Sequence, residues 1–282
     1  MILIVDSGST KAHWRVLESN GKVSEFETVG YNPLHLQSND FENSLRNEIP
    51  KQVPLLQVKS VFFYGAGCIS DTVERKVKSL LSPFFKDASI QVNSDIVGAA
   101  RSVFANSAGL VVILGTGTNV GYYNGVDIER KTMSLGYMLG DEGSGADLGK
   151  VVLTRWLYND LSLDITERFN DFIGMTRQET ITRMYSNQHA GKYFASFVPF
   201  IAQNIGHNDI TSIVKGRFSC LVEHHLLKYN SFPTAQIGVV GSVGYMFRDI
   251  LKDVLKDYGA NNLSFIQYPI DGIVNYHREK KD

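Results

Sequence analysis

A turn near the start of the chain has the residue types of a phosphate-binding loop. It follows the apolar run 2–5, and its residues are Asp6, Ser7, Gly8, Ser9, Thr10 and Lys11. Small and hydroxyl-bearing side chains let backbone amides and hydroxyls approach phosphate oxygens. A carboxylate at the end of a buried strand suits a hydrated Mg²⁺ ion, which uses few protein ligands. An ordinary hairpin turn is the alternative interpretation.

A second turn of the same character follows the apolar run 109–114. Its residues are Gly115, Thr116, Gly117, Thr118 and Asn119. Both halves of the chain carry this feature at matching positions, which weighs against two unrelated glycine-rich hairpins. Two such hairpins facing each other across a cleft could hold a polyphosphate from both sides, so we predict phosphate contacts from both turns.

The two turns belong to two copies of one pattern. LIVDSGSTKAHW (3–14) aligns with VILGTGTNVGYY (112–123) at a constant offset of 109 residues. Each half shows three strands and then alternating helices and strands, and the second half carries a helical insertion at about 145–230. This repeat predicts an α/β protein of two similar lobes, 1–105 and 106–270. The pattern also predicts one continuous helix over 242–257.

The stretch GYMLGDEGSG (136–145) is dense in glycine and acid just before a helix. Its adjacent carboxylates, Asp141 and Glu142, could bind sugar hydroxyls or assist a metal ion. Ser144 is a suitable helix N-cap with Asp147 at the third helical position, and this role can coexist with binding. The neighbouring histidines at 224 and 225 are expected to point to different faces of a helix, as surface or packing residues.

Two further candidate sites lie where strands give way to helices. Asp95 follows the strand 89–93, at the sheet edge where ligands bind in open α/β sheets. A carboxylate there can accept the proton of a hydroxyl that attacks phosphorus, and a plain helix N-cap is the alternative. Gly241 and Gly244, in VVGSVG, could let an adenine or ribose lie against the backbone, or could simply start a helix.

Composition excludes several classes of protein. The chain has 282 residues and a net charge of −1, so no basic field recruits nucleic acid or acidic membranes. Only two cysteines, Cys68 and Cys220, are present, which excludes a disulfide scaffold. No apolar stretch is long enough to span a bilayer, and the first residues lack the pattern of a signal peptide. We therefore expect a cytoplasmic protein with no nucleic-acid or membrane partner.

Taken in order, DSGSTK, the Asp95 turn, ILGTGTN, GYMLGDEGSG and VVGSVG resemble the BadF/BadG/BcrA/BcrD-type ATPase family, and within it the N-acetylglucosamine kinase branch. The resemblance covers essentially the whole chain and extends to the sugar kinase/Hsp70/actin superfamily. It implies two duplicated ribonuclease-H-like (actin-like ATPase) lobes with a cleft between them, and a last helix, at about 271–282, that packs back on the first lobe. It also implies ATP and Mg²⁺ as cofactors, an amino-sugar substrate phosphorylated at its 6-hydroxyl, and a homodimer.

The resemblance assigns roles to individual residues. Asp95 would be the general base and Asp6 the Mg²⁺ ligand. The sugar would be bound by Asn32, Asp95, Thr116, Gly117, Asn119 and Asp141, with Glu142 as a further candidate from its position. ATP would be bound by residues 7–11 and 115–118 and by Gly241 and Gly244. Family members often carry glycine where Ser7 stands, so Ser7 is expected to add a side chain beside the phosphates.

Two other functions compete with a sugar kinase. An ATPase activator of a dehydratase or reductase system needs exposed cysteines at a dimer axis, whereas Cys68 and Cys220 lie in apolar stretches. A non-catalytic sugar or ATP sensor does not need Asp95, which is intact. The sequence therefore favours phosphorylation of an amino sugar, most simply N-acetylglucosamine, and leaves glucosamine and N-acetylmuramic acid open.

Overall fold

The computed structural model describes residues 1–8, 11–31, 33, 39–68, 70–187 and 189–279. Contacts divide the chain into two compact units. The first comprises Met1–Ser107, Gly125–Ile128 and Tyr268–Asp282, and the second comprises Ala108–Asn124 and Glu129–Gln267. Segments from the middle and the end of the sequence therefore complete the first unit.

The first unit is built on a five-stranded mixed sheet. Its strands are β1 (Ile2–Ser7), β2 (Lys11–Leu17), β3 (Val23–Val29), β4 (Ser60–Gly65) and β5 (Ser89–Ser94), in the order β3-β2-β1-β4-β5. β1 is antiparallel to β2 and parallel to β4, which is parallel to β5. Ser7 pairs with Gly65, and Gly65 pairs with Ser94, so the three parallel strands end side by side.

A second sheet repeats this topology. Its strands are β6 (Gly109–Leu114), β7 (Thr118–Tyr123), β8 (Ile128–Lys131), β9 (Ile237–Val240) and β10 (Leu263–Ile266), in the order β10-β9-β6-β7-β8. β6 is antiparallel to β7 and parallel to β9, and β9 is parallel to β10. The match between the two strand orders confirms the predicted duplication and the predicted α/β fold class.

Helices accompany both sheets. Those of the first unit are α1 (Asn39–Asn47), α2 (Ile49–Gln52), α3 (Asp71–Leu81) and α4 (Asp95–Phe104). The second unit contains α5 (Gly136–Leu139), α6 (Gly145–Tyr158), α7 (Leu163–Ile173), α8 (Arg177–Ser186), α9 (Ala190–Ala195), α10 (Val198–Gln203), α11 (Asn208–His224), α12 (Ser242–Met246) and α13 (Arg248–Asp257). The last helix, α14 (Ile270–Glu279), belongs to the first unit. Among the described residues, no helix has the length and apolarity needed to cross a membrane.

The prediction of one helix over 242–257 is wrong, because the segment forms two helices that meet at Phe247. This residue has φ −103° and ψ 23°, outside the helical region. Phe247 and Leu251 are both buried in the core of the second unit.

Alternating side chains give the first sheet two apolar faces. Leu3 and Val5 of β1 pack in a cluster that includes residues of α1, α2 and α3. Ile4 lies in a separate cluster with residues of α4 and α14. The alternation places Asp6 on the face of Ile4, where α4 packs, and Ser7 on the opposite face.

The core of the second unit includes the helices predicted as an insertion. Leu110 and Val112 of β6 share one apolar cluster with Trp156 of α6, Phe169 of α7 and Phe218 of α11. The rings of Trp156 and Phe169 meet edge to face, with centroids 5.3 Å apart. The helices between β8 and β9 are therefore part of the folding core of this unit.

Close packing of α14 against α4 depends on a helical glycine. A Cβ atom at Gly272 would overlap the backbone carbonyl oxygen of Ser102. We expect Gly272→Ala to lower the free energy of unfolding by about 1–3 kcal/mol because the two helices must move apart. Thermal and urea unfolding measure this change.

Gly216→Ala in α11 is the matched control for this substitution. A Cβ atom there meets nothing within 4 Å, so the greater helix propensity of alanine should stabilise the protein slightly. Equal stability of Gly272→Ala and the wild-type protein would contradict the close contact between α14 and α4.

Candidate active site

Two carboxylates lie at the carboxyl edge of the first sheet. Asp6 is the penultimate residue of β1, and Asp95 follows β5 as the first residue of α4. Burial, together with the negative charge of Asp95, raises the pKa of Asp6 to about 7. A bound cation would relieve this electrostatic cost, so the pair fits Mg²⁺, which takes one or two protein carboxylates. Across the described residues, no group of three or more His, Cys, Asp or Glu side chains could hold a metal ion.

Asp95 does not cap the helix that it begins. Ser94 occupies the N-cap position with φ −71° and ψ 156°, and the N–H of Ile96 donates to Asp95 Oδ1 at 2.8 Å. The N-cap interpretation of Asp95 is therefore wrong. A helix N-terminus stabilises negative charge, so this position favours an ionised carboxylate that can accept a proton.

The hydroxyl of Ser7 is directed into the protein. Ser7 is fully buried, and its Oγ accepts a hydrogen bond from the N–H of Tyr31 at 2.9 Å and donates to the carbonyl oxygen of Tyr31 at 3.3 Å. The expectation that Ser7 adds a side chain beside the phosphates is therefore wrong. Its side chain instead fixes the backbone of Tyr31, whose ring stacks on Phe41 with centroids 5.0 Å apart.

The rest of the first turn is described in part. Ser9, Thr10 and the candidate sugar ligand Asn32 lie outside the described residues. The N–H of Gly8 donates to the carbonyl oxygen of Lys11 at 3.0 Å, which closes the turn. The Lys11 ammonium lies 2.6 Å from a carboxylate oxygen of Glu27 in an exposed ion pair. Phosphate contacts from this turn remain a prediction.

In the second unit, the turn after β6 is fastened to the start of α6. The N–H of Gly145 donates to the carbonyl oxygen of Gly115 at 2.9 Å, and that of Ala146 donates to Thr116 at 3.0 Å. Gly117 lets the carboxylate of Asp141 approach, since a Cβ atom at this position would lie 2.9 Å from Asp141 Oδ2. The structure thus brings the turn and Asp141 together.

Asp141 and Asn119 offer hydrogen-bond acceptors at this place. Asp141 has φ 61°, a left-handed conformation that is uncommon outside glycine and is found at functional sites. Burial raises the pKa of Asp141, against the opposing effect of a hydrogen bond from the Thr118 backbone. The buried Asn119 Oδ1 has no hydrogen-bond partner among the described residues. Both groups suit the hydroxyl donors of a sugar.

The carboxylate of Glu142 is engaged by two histidines. Its oxygens lie 2.9 Å from His224 Nδ1 and 3.0 Å from His225 Nε2. Burial alone would raise the pKa of Glu142, but hydrogen bonds from these imidazoles outweigh it and hold the pKa at about 2. The carboxylate of Glu142 is thus bonded to protein groups through both oxygens, and its role as a sugar ligand remains a prediction.

The prediction that the two histidines point to different faces is also wrong. α11 ends at His224, and His225 has left the helix with φ −119° and ψ −60°, so both rings reach one carboxylate. Two adjacent histidines at the end of a helix give no signal in the sequence for a partner 82 residues away. The sequence alone therefore does not reveal that they contact Glu142.

Asp147 and Ser144 hold the other end of the segment 140–145. Asp147 Oδ2 accepts from the N–H of Gly143 at 2.9 Å and from Nε of Arg217 at 2.7 Å. Ser144 Oγ accepts from the N–H of Asp147 at 3.2 Å, which confirms the predicted N-cap of α6. This segment is therefore attached to α11 at two points, through Glu142 and through Asp147.

The two glycines at the β9–α12 junction are required by packing. Gly241 has φ 121°, and a Cβ atom there would overlap the carbonyl oxygen of Leu114. A Cβ atom at Gly244 would lie 2.5 Å from a methyl group of Val239. Close approach to β6 at Gly241 and to β9 at Gly244 explains both glycines, and their contact with adenosine remains a prediction.

Comparison with solved structures identifies the family. No protein-family model and no curated protein matches the chain at a significant level. The structure of a putative N-acetylglucosamine kinase from Porphyromonas gingivalis is similar to it with a TM-score of 0.94 and 32% sequence identity, over 100% of both chains. The chain belongs to the N-acetylglucosamine kinase family.

More distant structures share the fold of this family. A putative N-acetylglucosamine kinase from Chromobacterium violaceum has 18% identity and a TM-score of 0.74 over 98% of each chain. MreB5 of Spiroplasma citri, solved with ADP, has 9% identity and a TM-score of 0.62 over 99% of this chain and 95% of that one. These similarities confirm the actin-like ATPase fold with two lobes that the sequence predicts for the family.

Removal of the Asp6 charge should stabilise the protein in a pH-dependent way. The folded-state pKa is about 7 against an ordinary 3.8, so the folded state binds this proton more tightly than the unfolded state does. The free energy of unfolding therefore falls as the pH rises from about 4 to about 7 and stays lowered above that range. We expect Asp6→Asn to melt roughly 5–10 °C above the wild type at pH 8 without metal, and close to it at about pH 4.

Thermal melting in buffers containing a chelator measures this difference. Asp253→Asn, at an exposed position of α13, is the control and should show no such trend. A melting difference for Asp6→Asn that stays constant across this pH range would contradict the electrostatic cost at Asp6.

Proposed function

We propose that the protein is an ATP- and Mg²⁺-dependent amino-sugar kinase that converts N-acetylglucosamine to N-acetylglucosamine 6-phosphate. The observation that carries the proposal is the placement of Asp95 and Asp6 at one sheet edge in a chain that belongs to this family. One of these carboxylates suits a proton acceptor and the other suits a cation ligand.

Asp95 is the general base of the proposed reaction. As the sugar 6-hydroxyl oxygen forms its bond to the γ-phosphorus of ATP, its proton passes to the Asp95 carboxylate. The bond between the γ-phosphorus and the bridging oxygen breaks, and ADP leaves with the electron pair. The Oδ1 of Asp95 is oriented by the N–H of Ile96, at a helix start that favours negative charge.

Asp6 would hold Mg²⁺ in the proposed site. When bound, Mg²⁺ neutralises negative charge on the phosphates. The carboxyl group of Asp6 is costly to ionise on its own, because it is buried and repelled by Asp95. Its ionisation is therefore coupled to the arrival of a positive charge, which favours binding of the metal and nucleotide together.

The sugar is bound in the second unit through acceptors for its hydroxyls. Asp141 and Asn119 supply a carboxylate and a buried amide oxygen without a partner among the described residues. Thr116 and Gly117 supply backbone at the same turn, which is fixed by its bonds to the start of α6. A site built to satisfy several hydroxyls discriminates strongly against compounds that lack them.

The cysteine environment disfavours the ATPase-activator alternative. Cys68 is fully buried, and burial with the nearby Asp95 raises the pKa of its thiol to about 12. A metal cluster needs accessible thiolates. Cys68 does not offer one.

Asp95→Asn should abolish most turnover and spare nucleotide binding. We expect kcat with N-acetylglucosamine to fall by about 100-fold or more because the proton acceptor is lost. The dissociation constant of ATP should stay within about twofold of the wild-type value, since the nucleotide contacts remain. A coupled ADP-release assay and calorimetry measure the two quantities.

The matched control is Asp71→Asn, because Asp71 is also the first residue of a helix in the same unit but is exposed on α3. Its turnover should equal that of the wild type. Near-normal turnover of Asp95→Asn would refute the assignment of the base.

The identity of the sugar is tested with the wild-type enzyme on a panel of amino sugars. We expect the highest kcat/KM for N-acetylglucosamine over glucosamine, N-acetylmannosamine and N-acetylmuramic acid, with phosphate on the 6-oxygen by phosphorus NMR. Binding of these sugars without phosphorylation would favour the sensor alternative and refute the kinase.

A further inference from the structure

Glu142, the residue after Asp141, has a hydrogen-bond partner for each of its two carboxylate oxygens. One oxygen of Glu142 lies 2.9 Å from His224 Nδ1, and the other lies 3.0 Å from His225 Nε2. Glu142 is largely buried, and both histidines come from the end of α11. Two imidazole donors on one carboxylate form a rigid, charge-assisted attachment.

We propose that His224 and His225 are positioning residues for sugar binding, because they hold Glu142 and thereby fix the adjoining Asp141 carboxylate. This inference rests on the proposed function. Neither histidine needs to touch the substrate for this role. Their effect passes through the single peptide bond that joins Asp141 to Glu142.

The backbone at these two residues explains how the effect is transmitted. Asp141 is held at φ 61°, which costs free energy and persists only when its surroundings impose it. The Thr118 hydroxyl donates to the carbonyl oxygen of Glu142 at 2.9 Å, and the Thr118 backbone bonds to Asp141. The Glu142 side chain is the third attachment, and it is the one that reaches α11.

No other basic group close to Glu142 among the described residues replaces the histidines. The charged groups that interact with it are His224, His225, Asp141 and Arg217. Arg217 is engaged by Asp147 at 2.7 Å. Asp141 repels Glu142, so loss of the imidazoles would leave a buried carboxylate beside a like charge.

The surroundings of His225 define its tautomer. His225 is buried, and its Nδ1 has no hydrogen-bond partner among the described residues. A neutral ring with its hydrogen on Nε2 donates to Glu142 and leaves only a lone pair at Nδ1. A hydrogen on Nδ1 would be buried without an acceptor. The His224 side chain is 59% exposed, so water can satisfy its other nitrogen.

Steady-state kinetics with N-acetylglucosamine and ATP test the positioning role. We expect His225→Ala to raise KM for the sugar about tenfold, and His224→Ala to raise it about threefold because its exposed contact is weaker. KM for ATP and kcat should change by less than about twofold. His225→Gln, whose amide N–H₂ can donate to Glu142, should restore KM to within about threefold of the wild type.

His207→Ala is the matched control. His207 lies in the same unit and contacts another carboxylate, Asp164, at 3.3 Å. KM for the sugar should be unchanged in this variant. Equal changes in all kinetic parameters, or an unchanged sugar KM in His225→Ala, would overturn the positioning role. If His225→Ala does not fold, Glu142→Gln and His225→Gln test the proposal in its place. Glu142→Gln must then raise KM for the sugar, and His225→Gln must keep it within about threefold of the wild type.

Nitrogen-15 NMR of the imidazole rings tests the same contact without activity. We expect the His225 signals, assigned by their loss in His225→Gln, to show a protonated Nε2 and an unprotonated Nδ1 at neutral pH. A ring protonated at Nδ1 would overturn the proposal. A wild-type protein that phosphorylates no amino sugar would refute the proposed function and leave this NMR result intact.

Discussion

Parallel pairing of β1, β4 and β5 in one register brings the two acids of the first unit together. Because Ser7, Gly65 and Ser94 are aligned across the three strands, the residues around these ends share one edge. A slip of one residue in β1 would turn Asp6 to the opposite face of the sheet and bring Ser7 in its place. Core packing opposes that slip, since Leu3 and Val5 fit one apolar cluster and Ile4 fits the other. The chemistry of the edge thus depends on the packing of the strand beneath it.

The second unit positions its acids by a different means. Segment 140–145 is glycine-rich and polar, so it has little apolar surface with which to anchor itself. Glu142 and Asp147 attach it instead to α11, through the histidine pair and through Arg217. Such polar contacts contribute little net stability because their groups must be desolvated, but each fixes the direction of a side chain. Two of the three acids therefore serve as supports, and Asp141 is the acid that the proposed function assigns to the sugar.

Local patterns in the sequence predicted much of this arrangement. The repeat at an offset of 109 residues predicted that both halves share one succession of strands and helices, and Ser144 with Asp147 predicted the start of α6. The contacts that the sequence did not reveal join distant residues. Ser7 bonds to Tyr31 across 24 positions, and Glu142 bonds to the histidine pair across more than 80. Such contacts follow from tertiary packing, and a single sequence carries no local trace of them.

The duplicated turns differ in charge, and this difference has a physical cause. The alignment of the two halves places Gly115 where the first half has Asp6. Space does not require glycine there, because a Cβ atom at position 115 would meet nothing within 4 Å. A carboxylate at that position would lie in the turn that also approaches Asp141, and it would add repulsion against the phosphates of the proposed nucleotide. A kinase can use one acid to bind a cation. A second acid on the matching turn would repel the nucleotide phosphates that bind together with that cation. In the proposed kinase, phosphate binding would therefore account for two turns that share one backbone pattern and differ in charge.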